Sequence, residues 1–194
     1  MRYFYDCEFL EDGRTIELIS IGIVCEDGRE YYAVNAEMPI DRIKGHDWLM
    51  RNVMPTLPVT GRNSLDAYIA QSPNHFPRPS ITMVDIDRTV TCVKPSRVIA
   101  NEVRDFLLAD DESNHDRELW AYYSAYDHVA LCQLWGTMMN LPDGIPMWTH
   151  DLMQAWEQAG RPEKPSQKGE HNALEDARWN RALYLATEQP GGNQ

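Results

Sequence analysis

The first 35 residues constrain the fold more than any other stretch of the chain. Three runs of β-forming residues, 2 to 9, Thr15 to Cys25 and Glu30 to Asn35, are separated twice by the same tetrapeptide, Glu11-Asp12-Gly13-Arg14 and Glu26-Asp27-Gly28-Arg29. Asp-Gly makes tight turns because glycine accepts positive φ without steric cost. Two such turns send each strand back along its neighbour, so an antiparallel three-strand meander is predicted. The repeated tetrapeptide reflects shared turn chemistry, not duplication.

The opening strand, Arg2-Tyr3-Phe4-Tyr5-Asp6-Cys7-Glu8-Phe9, is apolar and aromatic apart from Arg2 and its two acids. Strand side chains alternate faces, so Asp6 and Glu8 project together and Cys7 points to the opposite, core face. Two adjacent carboxylates repel unless a positive charge lies between them, and a divalent cation with oxygen ligands is the natural candidate. The pair reads as half of a metal site.

Beyond the meander, His46 to Met50 reads as a short helix ended before Pro55. Residues 59–94, broken by Pro73, Pro77 and Pro79, read as either an inserted loop with a hairpin or a flexible excursion. A helix is predicted from Ser96, its cap, with Ile99, Val103, Phe106 and Leu107 on one face. After a polar loop from Asp110 to Arg117 come a buried strand, Glu118 to Tyr122, and a helix from about Tyr126. That helix turns Val129, Leu131, Leu134 and Trp135 inward and stops at Gly136. A further helix is predicted over Thr149 to Gln158, then a mobile basic loop from Arg161 to Gly169 with two prolines. The last helix runs from Asn172 to about Thr187, and 189–194 form a frayed tail. Trp120, Trp135, Trp156 and Trp179 fall at packing positions. Strands followed by helices interleaved with further strand predict one α/β domain over 1–188, its mixed sheet flanked by helices.

The chain has 194 residues, 43% of them hydrophobic, enough for one core. Its formal charge of −12 argues against a basic surface for long duplex nucleic acid, though not against short or single strands. Cys7, Cys25, Cys92 and Cys132 lie far apart without zinc-ligand spacing and are expected to be reduced thiols. No apolar run approaches a membrane span and no signal peptide is visible, so a cytoplasmic protein without membrane contact is expected.

Two further acids accompany the first pair. Asp127, in Ser124-Ala125-Tyr126-Asp127-His128, sits where strand gives way to helix, a position that also suits an acid simply favoured by the helix dipole. Asp176 follows Asn172 and Glu175, a capping-box-like pair that makes Asn172 the cap and leaves His171 outside the helix. Within one helix, residues five apart point about 140° apart, whereas a histidine on the preceding loop can turn toward the site of Asp176. Taken alone, His171 reads equally as a structural or surface histidine.

In order, Asp-x-Glu on a first strand, Asp at a strand-to-helix junction and His-x4-Asp opening a final helix resemble the DEDDh branch of the DEDD superfamily of 3′–5′ exonucleases. Residues 3–9, 15–22, 30–34 and Ala125 to Gly136 are similar to the ribonuclease AS family, small exoribonucleases associated with polyadenylate-containing RNA. The resemblance covers most of the chain outside about 59–94 and the tail. It implies a ribonuclease H-like fold and a homodimer that releases nucleoside monophosphates from the 3′ end of single-stranded RNA. Carried over by position, Asp6, Glu8, Asp127 and Asp176 hold two divalent cations, Mg²⁺ or Mn²⁺, in a two-metal phosphodiester hydrolysis. His171 is then the general base, an imidazole's ordinary pKa of about 6.5 suiting that role. Phe9 and Leu18 are the candidates to grip the terminal nucleotide, though both fit the core equally well, and Glu17 is the candidate to read a base edge or sugar hydroxyl. Lys164 and Lys168 sit on the loop before His171, either closing over substrate or merely solvated.

Two features depart from the pattern. Many members carry an Asn upstream of the aromatic-Asp pair where this chain has Tyr123 and Ser124, so a secondary hydrogen bond is expected to differ. Residues 59–94 also exceed what the compact family requires. Alternatives are an exonuclease acting on DNA ends or short oligonucleotides, and a catalytically silent binding or dimerisation module. The full set of four acids and a histidine argues against the last.

Overall fold

The computed structural model describes residues 1–72, 74, 76–77, 79–109 and 117–188. Nearly all of the predicted Asp110 to Arg117 loop and the whole tail 189–194 lie outside the described residues. The meander forms as expected: β1 (Arg2–Glu11), β2 (Ile16–Cys25) and β3 (Glu30–Asn35) pair antiparallel in sequence order. Gly13 and Gly28 take φ of 82° and 95° in the two turns, which only glycine adopts readily.

Residues 36–94, which contain the short helix predicted near His46 to Met50, are more ordered beyond Val59 than the broken pattern there predicts. They form α1 (Ile40–Lys44), α2 (Asp47–Asn52), a 3₁₀ turn over Met54–Thr56, β4 (Val59–Thr60), α3 (Arg62–Ala70), β5 (Asp85–Ile86) and β6 (Val93–Lys94). β4 and β5 pair in a small separate sheet. Met50, Met54, Leu65, Tyr68 and Val84 pack on Leu10, Ile19 and Val34, so this segment closes one face of the main sheet. β6 pairs in parallel with β3 at the sheet edge, so the stretch read as an inserted loop ends in a strand of the main sheet. Scattered apolar residues in short elements carry no period that a sequence window detects, yet they bury one continuous surface.

α4 (Ser96–Leu107) turns Ile99, Val103 and Leu107 onto the other face, together with Tyr3, Tyr5 and Cys7. Ser96 is its first residue, not its cap. Its hydroxyl donates to Asn35 Oδ1 at 3.0 Å, tying the helix to β3. β7 (Glu118–Ala121) lies parallel to β1 on the side away from β2, and α5 (Ala125–Gln133) follows it. Leu131 is buried as predicted, but Val129 faces solvent. The helix expected over Thr149 to Gln158 divides. β8 (His150–Asp151) adds to the edge of β7, and Asp151 Oδ1 accepts from Gln154 N, so α6 (Leu152–Gln158) starts after it. α7 (Ala173–Glu188) is the last element among the described residues and buries Ala173, Asp176, Ala177, Asn180, Leu183 and Tyr184 on one face.

The strand order is β6-β3-β2-β1-β7-β8, a mixed six-stranded sheet flanked by helices. All four cysteines are free, and among the described residues no helix is long and apolar enough to cross a membrane.

Candidate active site

β7 pairs with β1 only from Arg2 to Phe4, so the next residues of β1 present an open edge. Open strand edges require partners. Here side chains supply them: Cys7 N donates to Asp127 Oδ1 at 2.8 Å, and Asn180 Nδ2 donates to Tyr5 O at 2.9 Å. The backbone demand of the opening strand thus brings the junction aspartate and the final helix to Asp6 and Glu8.

α7 approaches closely because three small residues meet. Ala173 and Ala177 face the sheet, and Gly22, the cross-strand partner of Asp6, lies under the first turn. Asn172 caps the helix, its Oδ1 accepting from Leu174 N at 3.2 Å and Glu175 N at 3.3 Å. The reciprocal half of the capping box is absent, because Glu175 pairs with Arg178.

His171 lies just outside this cap at φ 67°, a left-handed conformation uncommon for residues other than glycine. Both of its backbone groups are held: its N–H donates to Asp176 Oδ2 at 2.9 Å, and its carbonyl accepts from Thr56 Oγ1 at 2.8 Å. The imidazole meets the Trp48 ring edge-on at 4.8 Å. One ligand atom each from Glu8, His171 and Asp176 lie within 4.8 Å of one another.

The four acids raise one another's pKa across the cleft. Burial, then Asp127, Glu8 and Asp176, hold the Asp6 carboxyl well above its ordinary range. Burial and the charges of Asp176 and Asp127 push Glu8 up to about 8. Burial raises Asp127 to about 7 despite the hydrogen bond from Cys7. Asp176 is raised by burial and partly relieved by Gln167 and by the His171 N–H. Among the described residues Lys164 lines this cleft of about 520 Å³, but its ammonium donates to Tyr122 Oη at 2.7 Å. Oxygen-rich, mutually repelling and supplied with a histidine, the set fits divalent cations.

The loop expected to be mobile is pinned across this cleft. Trp156 and Trp179 indoles donate to the Pro162 and Pro165 carbonyls, and Gln167 Nε2 donates to Asp176 Oδ1 at 2.7 Å. Sequence reasoning missed Gln167 and Asn180, whose roles come from loop path and helix register. It also missed Asp151, whose Oδ2 accepts from both the N–H and the hydroxyl of Ser124, the residue noted as departing from the exonuclease pattern. Trp179 packs as expected and also lines the cleft.

The predicted substrate residues separate. Phe9 lines the cleft with its ring edge-on to Tyr126 at 6.1 Å. Leu18 and Glu17 do not reach it. A bulge between Glu8 and Phe9 pairs Glu8 with Ser20 but Phe9 with Leu18, which places Leu18 in the core with Phe9 packed beside it and off the carboxylate face. Glu17 is ion-paired with Arg42.

A family model described as the 3′–5′ exoribonuclease Rv2179c-like domain matches residues 80–187, which include Asp127, His171 and Asp176. Two Mycobacterium tuberculosis proteins are similar over nearly the whole chain: 3′–5′ exoribonuclease Rv2179c of strain ATCC 25618 / H37Rv and 3′–5′ exoribonuclease MT2234.1 of strain CDC 1551 / Oshkosh. Each is 42% identical over 179 residues, 92% of this chain and 88% of the relative.

Proposed function

The chain belongs to the Rv2179c-like family of 3′–5′ exoribonucleases, and from that premise we propose that it hydrolyses single-stranded RNA, polyadenylate-containing RNA included, to nucleoside 5′-monophosphates. Asp6, Glu8, Asp127 and Asp176 hold two divalent cations, Mg²⁺ or Mn²⁺, and His171 is the general base of a DEDDh site on a ribonuclease H-like fold. The observation that carries this is the convergence of Glu8, His171 and Asp176 beside the mutually repelling Asp6 and Asp127. Bound cations supply an activated water and neutralise charge developing on the phosphate.

The remaining work falls to the chain itself. His171, its backbone held at both ends and its ring bordered by Trp48, takes the proton from the attacking water. Phe9 and Tyr126 offer an apolar wall for the terminal base. Gln167 keeps Asp176 in place, as hydrogen-bonded neighbours of metal ligands commonly do. A homodimer and a cytoplasmic location complete the proposal, supported respectively by the ribonuclease AS resemblance and by four unpaired cysteines.

The test uses one RNA labelled at either end and a DNA of matched sequence. Immediate release of a 3′-labelled monophosphate, a shortening 5′-labelled ladder, preference for RNA and complete arrest by EDTA are expected. Cleavage that begins at the 5′ end or persists in EDTA would refute the proposal.

A further inference from the structure

A second cleft, about 560 Å³, opens beside the first, and Tyr123 lines both. Trp120, Trp148 and His150 contribute its aromatic surface, with Gln154 and Gln158 of α6 beside them. Trp148 and Tyr123 leave 61% and 63% of their surface to solvent, an arrangement that packing does not require. Their surroundings are nevertheless ordered. The His150 ring stacks on Trp120 at 4.2 Å and 10°, and Trp148 meets His150 edge-on at 4.3 Å. Tyr123 rests against Tyr122 at 4.5 Å, and the next residue, Ser124, is tied to Asp151.

The occupant follows from charge and continuity. A chain of net charge −12 gains little from a phosphate backbone, whereas stacking of bases on aromatic rings is independent of net charge and tolerant of sequence. An enzyme that removes one nucleotide at a time keeps the 3′ end at its reacting centre and must give the rest of the strand a way out. The shared Tyr123 marks such an exit. We propose that this aromatic cleft is an upstream subsite, where bases 5′ to the scissile phosphate of a single-stranded RNA stack on Tyr123 and Trp148. It rests on the exoribonuclease assignment and adds to it a length-dependent grip lying outside the catalytic centre.

The test compares a dinucleotide and an octanucleotide RNA of the same 3′ sequence on the full chain. Kd is read by anisotropy of 5′-fluorescein RNA with Ca²⁺ replacing Mg²⁺, and KM and kcat are measured on the same RNAs in Mg²⁺. Trp148→Ala should weaken octanucleotide binding roughly tenfold and raise its KM similarly, leaving kcat and the dinucleotide within about twofold. Trp148→Phe should restore most of the loss. Equal effects on both lengths, or on neither, overturn the subsite. A wild-type chain inactive on both RNAs would instead overturn the exoribonuclease assignment, and the binding comparison would still decide the cleft.

Discussion

Gly22 is where the site is most exposed to a single methyl group. It pairs with Asp6 on one side and Tyr32 on the other, and α7 passes directly over it. A Cβ built on Gly22 falls well inside 3.0 Å of the Ala173 carbonyl and of Leu174 N, both backbone atoms of the first helical turn. Backbone cannot rotate aside as a side chain can. Restoring ordinary contact at 3.4 Å requires that turn to retreat by about 1 Å, and Asp176 travels with it. Displacements of that size at a catalytic centre lower rates on the order of 10²-fold, and overpacking costs about 1–3 kcal/mol of stability. For Gly22→Ala, hydrolysis of a 5′-labelled RNA across a Mg²⁺ titration should show that rate loss and a titration shifted to higher Mg²⁺. Urea unfolding should show the lowered midpoint. A variant that retains wild-type turnover and metal dependence would refute the claim that the glycine sets the distance between Asp6 and Asp176.

Three further outcomes are expected. In EDTA the folded chain holds protons on Glu8 up to about 8 and on Asp127 up to about 7, above unfolded carboxyls, so its unfolding free energy should fall as pH rises through that window. Urea midpoints at about pH 5 and pH 8.5 test this; Mg²⁺ should flatten the slope, and a midpoint that rises with pH in EDTA contradicts the electrostatics. Gln167→Ala removes a hydrogen bond to Asp176 and should weaken apparent Mg²⁺ affinity roughly 10-fold, read from the activity titration, while an unchanged titration would deny Gln167 a positioning role. His171→Ala should reduce kcat roughly 10²–10⁴-fold with a much smaller change in metal affinity, and equal losses in both would make His171 a ligand instead of a base.

Local signals carried much of this protein. The paired Asp-Gly turns dictate the meander, strand alternation puts Asp6 and Glu8 on one face with Cys7 opposite, and Asn172 announces the start of the last helix. Each depends on residues within a few positions of one another, where backbone preference and side-chain period act directly. Alternation could not have placed Leu18, because one extra residue in β2 reverses the faces beyond Glu8 and no composition signal marks that bulge. The helix at His46 to Met50 was legible and forms as α2, whereas residues 59–94 were not, for a related reason: their short elements are stabilised by the sheet they cover, not by their own periodicity.

What the sequence determined by itself was therefore a set of groups, four carboxylates and a histidine in an order resembling that of the DEDDh exonucleases, together with the strand that begins it. Tertiary structure alone decided how they meet. The short β7 leaves part of β1 unpaired, and the open backbone groups recruit Asp127 and Asn180. Gly22 lets α7 descend to the sheet, and Thr56, in the 3₁₀ turn after α2, holds the carbonyl of His171. These are long-range consequences of unsatisfied hydrogen bonds and close packing, which do not exist until the chain has folded.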